Sequence, residues 1–499
     1  SRRIKMREIA YCFITIILMI SVLQSQEDVE DMMRKLQEAT QEKINQSEQA
    51  VQDFIDKNDA EFAKFLEEDW RMFQAFKGEV RDEKPKPKTI PVAEVKKDIV
   101  YTGKPVEKIP IPKYSAQEKV KPLIEYKFRP DIKKKKITVD FFNVKLEPEY
   151  DVKMQTLVVL RNINNESISN CWETLSASDY EALIEQTKAY KNNINLNDWG
   201  YILLLHEIGS EMFNKSNNES NLFIWFMMSK MGYDIKIGYD NANIFLLIPS
   251  KNMIYSTPYL ILNSRKYFIV SLDNSNTNES GAIYTYEGEY PGSDRLVSMN
   301  IDNSPVFLNQ KINREYNFKY KDTYYTVPVI FNRDAIDFFE YYPQTNFEVY
   351  FTSRVTPSVN YSFLIAFKPL IENKSEAEAV NIILRFVQTA FEYKTDGEHF
   401  GREKPLFPEE TLYYKYSDCE DRSILFAHLV RELLGLEVIG LNYPSHIATA
   451  VKFDKPVSGD YITYNQKKYL ICDPTYINAD IGQCMPRFKY QKPEIIRLK

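Results

Sequence analysis

Glycine is scarce in this chain. Its 499 residues include only 15, and none of them gathers into the Gly-rich loop that cradles a phosphate, which argues against nucleotide chemistry. Basic residues hold no surplus: 64 Lys and Arg stand against 70 Asp and Glu, a formal net charge of -6, so nothing in the charge recruits nucleic acid. The five cysteines contain no CxxC pair, the spacing that a closed zinc site favours. Neither a metal nor a cofactor is therefore expected. What the chain has in quantity is apolar surface, 44% hydrophobic residues and 14% aromatic, enough to build folded cores and too much for a disordered protein. The length suggests about three domains of ordinary size.

At the amino end Arg2, Arg3, Lys5 and Arg7 precede an apolar stretch over residues 9–23, and acidic residues follow at once. That order is the layout of a secretory signal, with a cut expected between Ser25 and Gln26. The stretch is short for a spanning helix. Leu23 is nevertheless a poor residue three places before such a cut, so an uncleaved amino-terminal anchor is the alternative. With either, the bulk of the chain is exported, to a periplasmic, cell-surface or extracellular location, and it meets a membrane only if the segment stays uncleaved. Cys12 lies inside the apolar run without the small residues that a lipid-attachment site needs before it. Cys171, Cys419, Cys472 and Cys484 then belong to the mature protein, in a compartment that permits disulfides, and whether Cys472 pairs with Cys484 stays open.

Residues 26–80 are highly charged and lack strand alternation. Val51 and Phe54, Phe62 and Phe65, Phe73 and Phe76 repeat one apolar pair every eleven residues, a period that lays a nearly straight stripe along a long amphipathic helix. Acidic residues crowd its polar face, so the stripe is read as a docking surface for the chain's own body, a second helix or a protein partner, and not for a membrane. Residues 81–136, opening with "RDEKPKPKTIP", turn Pro- and Lys-rich and read as an extended linker. Residues 137–275 begin with the alternating strand "ITVDFFNVKLEP", pass through helical stretches near 180–191 and 197–212, and end in strands such as "NIFLLIPS" and "KYFIVSL". Residues 276–372, rich in Tyr, Phe, Val and Thr between short turns, read as a β-rich middle domain. Residues 373–499 return to helix followed by strands. The fold class expected is α+β.

That recurrence points to a duplication. "NLFIWFMMSKMGYDIKIGYDNANIFLLI" (221–248) and "ILFAHLVRELLGLEVIGLNYPSHIATAV" (424–451) both run from an apolar helix into a glycine, then strand, turn and strand; "KYFIVS" (266–271) likewise matches "KYLICD" (468–473). Aligned so, Ser216, Asn243 and Ser271 fall where Cys419, His446 and Asp473 stand in the second copy.

Those last three residues are separated by 27 positions and then by another 27. Ser417 or Asp418 can cap a helix whose first turn holds Cys419, Glu420 and Asp421. A thiol there faces free backbone amides and the positive end of the helix dipole, which favour the thiolate. His446 opens the strand "HIATAVKF" and Asp473 ends the strand "KYLICD"; if these are antiparallel neighbours, Asp473 can hold one nitrogen of His446 while the other faces Cys419. Cys472 points to the opposite face by strand alternation. Taken singly, each residue has an ordinary structural explanation: a buried filler, a bonded histidine, a turn former. The ordered trio is more specific than its parts. His206 and His428, both mid-helix among apolar residues, are read as structural.

The three stretches "DCEDRS", "YPSHIATAV" and "YLICDPTY", in that order, resemble the transglutaminase-like superfamily in its bacterial secreted form, which shares its Cys, His, Asp order with papain-type folds. The likeness covers about residues 376–490. It departs at Ser417, where family members often carry glycine two places before the cysteine. The resemblance implies a helix bearing Cys419 packed on an antiparallel sheet bearing His446 and Asp473, with Cys419 as nucleophile, His446 as base and then acid, and Asp473 orienting it. The backbone amide of Cys419 would supply one oxyanion donor, and Tyr414 or Tyr416 are candidates for the second. Attack on an amide of a protein or peptide substrate would give a thioester; water as acceptor makes a protease or amidase, the leading expectation, and a lysine amine makes a crosslinking transferase. Residues 137–275 would be a degenerate copy serving binding or assembly. A protein that keeps the fold without catalysis in either copy is the reading from another class.

Overall fold

Residues 26–68 contain neither glycine nor proline, so nothing interrupts a helix there, and Gln26–Glu68 is a single helix of 43 residues. Ion pairs and amide contacts one turn apart brace its exposed sides, such as Asp31 with Lys35 at 2.7 Å and Gln49 with Asp53 at 2.8 Å. The computed structural model describes residues 26–81, 86–95, 101–111, 132–157, 163–272, 282–307 and 310–498; the signal or anchor over residues 1–25 lies outside them. No helix among the described residues is long and apolar enough to cross a membrane. Of the described residues, 26–65 form one unit and those from 66 onward another.

The apolar stripe does not extend as its period suggested. Val51 and Phe54 are exposed and Phe62 is buried, but the third pair is not helical. Phe73 lies in the strand Arg71–Gln74, and Phe76 bridges to Tyr259 with the two rings stacked at 5.5 Å. Sheet pairing overrides the helical period here: Arg71–Gln74 runs antiparallel to Ala282–Thr285, turning Phe73 and Ala75 toward an apolar cluster around Phe245, Leu247 and Ile283. The strand expected from "ITVDFFNVKLEP" is likewise a tight hairpin, Val139–Phe141 against Val144–Leu146, turned by Phe142 and Asn143 at positive φ.

The chain is α+β, and its two larger sheets share a topology. In the first, whose strands other than Arg71–Gln74 follow the helix Asn217–Lys230, the order is Arg71–Gln74, Ala282–Thr285, Lys236–Tyr239, Ile244–Ile248, Arg265–Val270, Tyr259–Leu262. In the second, after the helix Cys419–Leu434, it is Glu494–Ile496, Val438–Tyr443, His446–Val451, Lys467–Cys472, Tyr461–Tyr464. Both are antiparallel throughout. The registers also correspond. Leu246, Leu247 and Ile248 face Val270, Ile269 and Phe268, as Thr449, Ala450 and Val451 face Cys472, Ile471 and Leu470. Asn243, three residues before Leu246, then matches His446, three before Thr449; Ser271 after Val270 matches Asp473 after Cys472. Gly232 and Gly435 end the two helices with φ of 86° and 66°, a left-handed conformation that glycine adopts without strain.

The middle region is only half strand. A long hairpin, Lys311–Tyr320 against Thr323–Asn332, is followed by three helices, Arg333–Glu340, Phe347–Thr352 and Pro357–Ile371. The aromatic and β-branched composition suggested strands. The buried positions Val359, Phe363, Phe367 and Ile371 instead recur every fourth residue, a helical period that outweighs residue preference once the face is covered. The helix packs on the hairpin.

Of the linker, residues 81, 86–95, 101–111 and 132–136 are described; its end forms the strand Lys134–Lys136, antiparallel to Glu149–Asp151, and residues 86–95 and 101–111 lie against the carboxyl-terminal part. Val92 bridges to Ile477 and Pro105 to Ser375.

Candidate active site

The helix Cys419–Leu434 starts at Asp418, whose backbone N–H donates to the Asp421 carboxylate at 3.1 Å. It is buried on nearly every side over residues 419–430, packed between the strand His446–Val451 and the helices Glu376–Thr389 and Pro408–Tyr413. Ser423 Oγ donates to the Ile447 carbonyl at 3.0 Å, which pins the first turns of the helix to the start of that strand. His446 opens the strand, and Asp473 immediately follows the neighbouring antiparallel strand. In this register Asp473 shares a face with His446, while Cys472 alternates to the other side.

His446 Nε2 and Asp473 Oδ2 are 2.8 Å apart. The other Asp473 oxygen accepts the N–H groups of Thr475 at 2.9 Å and Tyr476 at 3.2 Å, so the carboxylate is fixed before it meets the ring. Phe488 stacks on the imidazole at 4.9 Å and 7°. Burial pushes the His446 imidazolium down, but Asp473 and, behind it, the Cys419 thiol outweigh that and raise its pKa to about 10. Nδ1 is buried and makes no hydrogen bond; it is the nitrogen left for the thiol. The thiol itself lies 3.1 Å from Glu420 Oε2. The structure thus gathers Cys419, His446 and Asp473 in one place.

The two tyrosines expected as oxyanion donors point elsewhere or pack otherwise. Tyr414 donates its hydroxyl to Glu340 Oε1 at 2.8 Å, and the ring of Tyr416 meets His399 edge-on at 5.2 Å, with Lys394 over its face. A third tyrosine, missed in the sequence, is better placed. Tyr393 lies beside Ser417 in a short parallel pairing, two positions before Cys419. Its hydroxyl is buried without a hydrogen-bond partner. Burial, then the charges of Cys419 and Asp418, hold that phenol neutral and able to donate. No spacing in "FEYKTD" marks it; only strand pairing brings it to the site.

Beside the thiol lies a ring of carboxylates. Asp396, Glu403 and Glu420 offer oxygens within 4.8 Å of one another, as do Asp396, Asp418 and Asp421. Such a set could hold a cation, and the cation in its midst is the Lys86 ammonium, 2.9 Å from Glu403, 3.0 Å from Asp418 and 3.7 Å from Asp396, with Glu420 also bonded to it. Burial opposes its charge, but Asp418, Cys419, Asp396 and Glu403 hold it firmly protonated. Burial, then Asp418, keeps Asp396 and Asp421 well above the usual carboxylate range. The sequence signal for this contact is the match between a Pro-flanked lysine in "KPKPK" and the acidic "DCED".

Against known proteins, the chain matches no family model, no curated protein and no solved structure.

The remaining candidates fall outside the site. Cys171, Cys472 and Cys484 are free thiols; burial pushes all three up, Cys484 to about 11. His428 bonds Asn360 at 3.0 Å, and burial drives its pKa down to about 3. In the matching part of the first sheet, Ser216 bonds Glu219 and the Asn243 amide lies 3.5 Å from Asp240.

Proposed function

We propose that residues 373–499 form a transglutaminase-like thiol domain and that the protein is an exported cysteine hydrolase of amides in proteins or peptides. The observation that carries this reading is His446, buried between Asp473 and Cys419 with Nδ1 bonded to nothing else. In the reaction, Cys419, as the thiolate paired with the His446 imidazolium, attacks the amide carbonyl carbon. The oxyanion is met by the Cys419 backbone N–H and the Tyr393 hydroxyl. His446 then protonates the leaving amine, the C–N bond breaks, and a thioester remains. Water, deprotonated by the same imidazole, releases the acid and restores the thiol. A lysine amine in place of water would crosslink two chains.

Residues 137–275 fit a degenerate copy in this reading, since Ser216, Asn243 and Ser271 supply neither thiol nor imidazole. That copy would serve binding. Val51 and Phe54, exposed on the amino-terminal helix, are the part of the apolar stripe left to meet a protein partner.

Labelling with a small haloacetamide at pH 6 tests the central pair. In a Lys86→Gln protein, where the ammonium no longer closes the carboxylate ring beside the thiol, Cys419 should take label ahead of Cys171, Cys472 and Cys484, whose thiols are held protonated at that pH, and adding His446→Ala should remove the lead. Equal rates at the four cysteines would leave the enzyme reading without support. For the oxyanion, Tyr393→Phe is expected to slow acylation by an activated amide by about a hundredfold, measured as release of the leaving group. An unchanged rate would take Tyr393 out of the site.

A further inference from the structure

The three residues of the site are closed off from solvent: Cys419 is 1% exposed, His446 2% and Asp473 2%. The thiol is almost wholly withdrawn from solvent. A segment from far upstream in the chain packs beside it. Lys86 enters the carboxylate ring and contacts Asp418 and Glu420, the two neighbours of Cys419. Seven residues later the same segment pairs with the loop after Asp473: Ala93 N–H donates to the Ile477 carbonyl at 2.7 Å, and Ile477 N–H to the Pro91 carbonyl at 3.0 Å. Both ends of the trio are therefore braced by residues 86–93.

Glu420 connects that brace to the chemistry. One of its oxygens takes the Lys86 ammonium and the other lies 3.1 Å from the Cys419 thiol. The thiol thus stands between a carboxylate and His446, whose Nδ1 has no partner other than the thiol. We propose that residues 86–95 are a built-in cover that holds the site latent, with Lys86 as its latch. The inference rests on the thiol-enzyme reading above. Pro87 and Pro91 stiffen the segment and lower the entropy lost when it docks. The latch is ionic, one ammonium among Asp396, Glu403, Asp418 and Glu420, with Asp421, Arg422, Tyr393 and His446 as the other titratable groups around Cys419. Losing Lys86 leaves those buried carboxylates without their central cation, so the docked state loses its anchor.

The test is iodoacetamide labelling of Cys419 in the full chain, read by mass spectrometry at pH 8.5, where any accessible thiol reacts. Lys86→Gln is expected to raise the rate at least about tenfold over the unaltered protein, while Lys86→Arg, which keeps the charge, stays near it. Ala93→Pro, which deletes the N–H given to Ile477, is expected to raise the rate independently should the Lys86 variant fold poorly. A rate unchanged in both Lys86→Gln and Ala93→Pro would overturn the cover. So would a lower rate, which would mean that Lys86 supports the thiolate instead of hiding it. At pH 6 the Lys86→Gln protein separates this inference from the one beneath it. A gain at pH 8.5 with no His446-dependent lead at pH 6 keeps the cover and removes the enzyme; a gain at both, lost at pH 6 with His446→Ala, supports the two together.

Discussion

Asp473→Ala, made in the Lys86→Gln protein, is expected to lower the pH 6 reactivity of Cys419 by a factor of about a hundred to ten thousand, the range seen when a catalytic acid–base group or its orienting carboxylate is lost. The same change should destabilise the fold by about 3–5 kcal/mol, because it strands a buried imidazolium and leaves the Thr475 and Tyr476 N–H groups without their acceptor. The two effects share one cause and can be told apart by pH. In the native protein His446 titrates near 10 against an ordinary 6.5, so its stabilising contribution is complete below about pH 6.5 and fades as pH rises through 10. Without Asp473 burial dominates and pushes the ring below its ordinary value, so that protein is weakened as acid forces a proton onto it. The stability gap between the two proteins should therefore be widest below pH 6.5 and narrow toward pH 10, down to the share set by the Thr475 and Tyr476 bonds. Urea unfolding at several pH values measures it. A gap that does not change with pH would mean that Asp473 serves the loop and not the imidazole.

Much of this arrangement can be read in the sequence because its parts are local. A cap beside Cys419, strand alternation at His446 and a strand end at Asp473 each depend on a few neighbouring residues. The element order of the two sheet-bearing parts is readable for the same reason, since hairpins are short-range. The helices over residues 333–371 were hidden by composition: Tyr, Phe and Val suit strands as well as helices, and only the four-residue recurrence from Val359 to Ile371 separates the two. Phe73 fails in the opposite sense, a helical period overruled by a strand partner more than 200 residues away. Lys86 could not be placed by local reasoning. Its contact with Asp418 spans 332 positions, and a lysine between prolines looks like linker until something acidic is found to receive it. Tyr393 is similar, brought to the thiol by the parallel pairing of two residues with two.

Arg422→Ala should cost about 3–5 kcal/mol of stability, the largest loss expected from a residue outside the trio. The side chain is fully buried one turn after Cys419. Its guanidinium donates to Ser417 Oγ at 3.1 Å, to the Gln388 carbonyl at 3.1 Å and to the Phe391 carbonyl at 2.7 Å, so it ties the turn before the nucleophile to the end of the helix Glu376–Thr389. Burial lowers its pKa to about 10, held there by Tyr393, Asp418 and Asp421, and it stays charged at neutral pH. Alanine would leave two buried carbonyls unpaired, open a cavity and deprive Asp418 of a cation at once. Lysine should recover only part of the loss, since one ammonium cannot fork to three acceptors in the plane that arginine spans. The consequence reaches the site, because Ser417 and Tyr393 are paired to each other and both depend on this anchor for their position. Urea unfolding of Arg422→Ala and Arg422→Lys checks the order, alanine below lysine below the unaltered protein. A loss under about 1 kcal/mol for alanine would mean that the turn holds its shape from Asp421 and the short strand pairing alone.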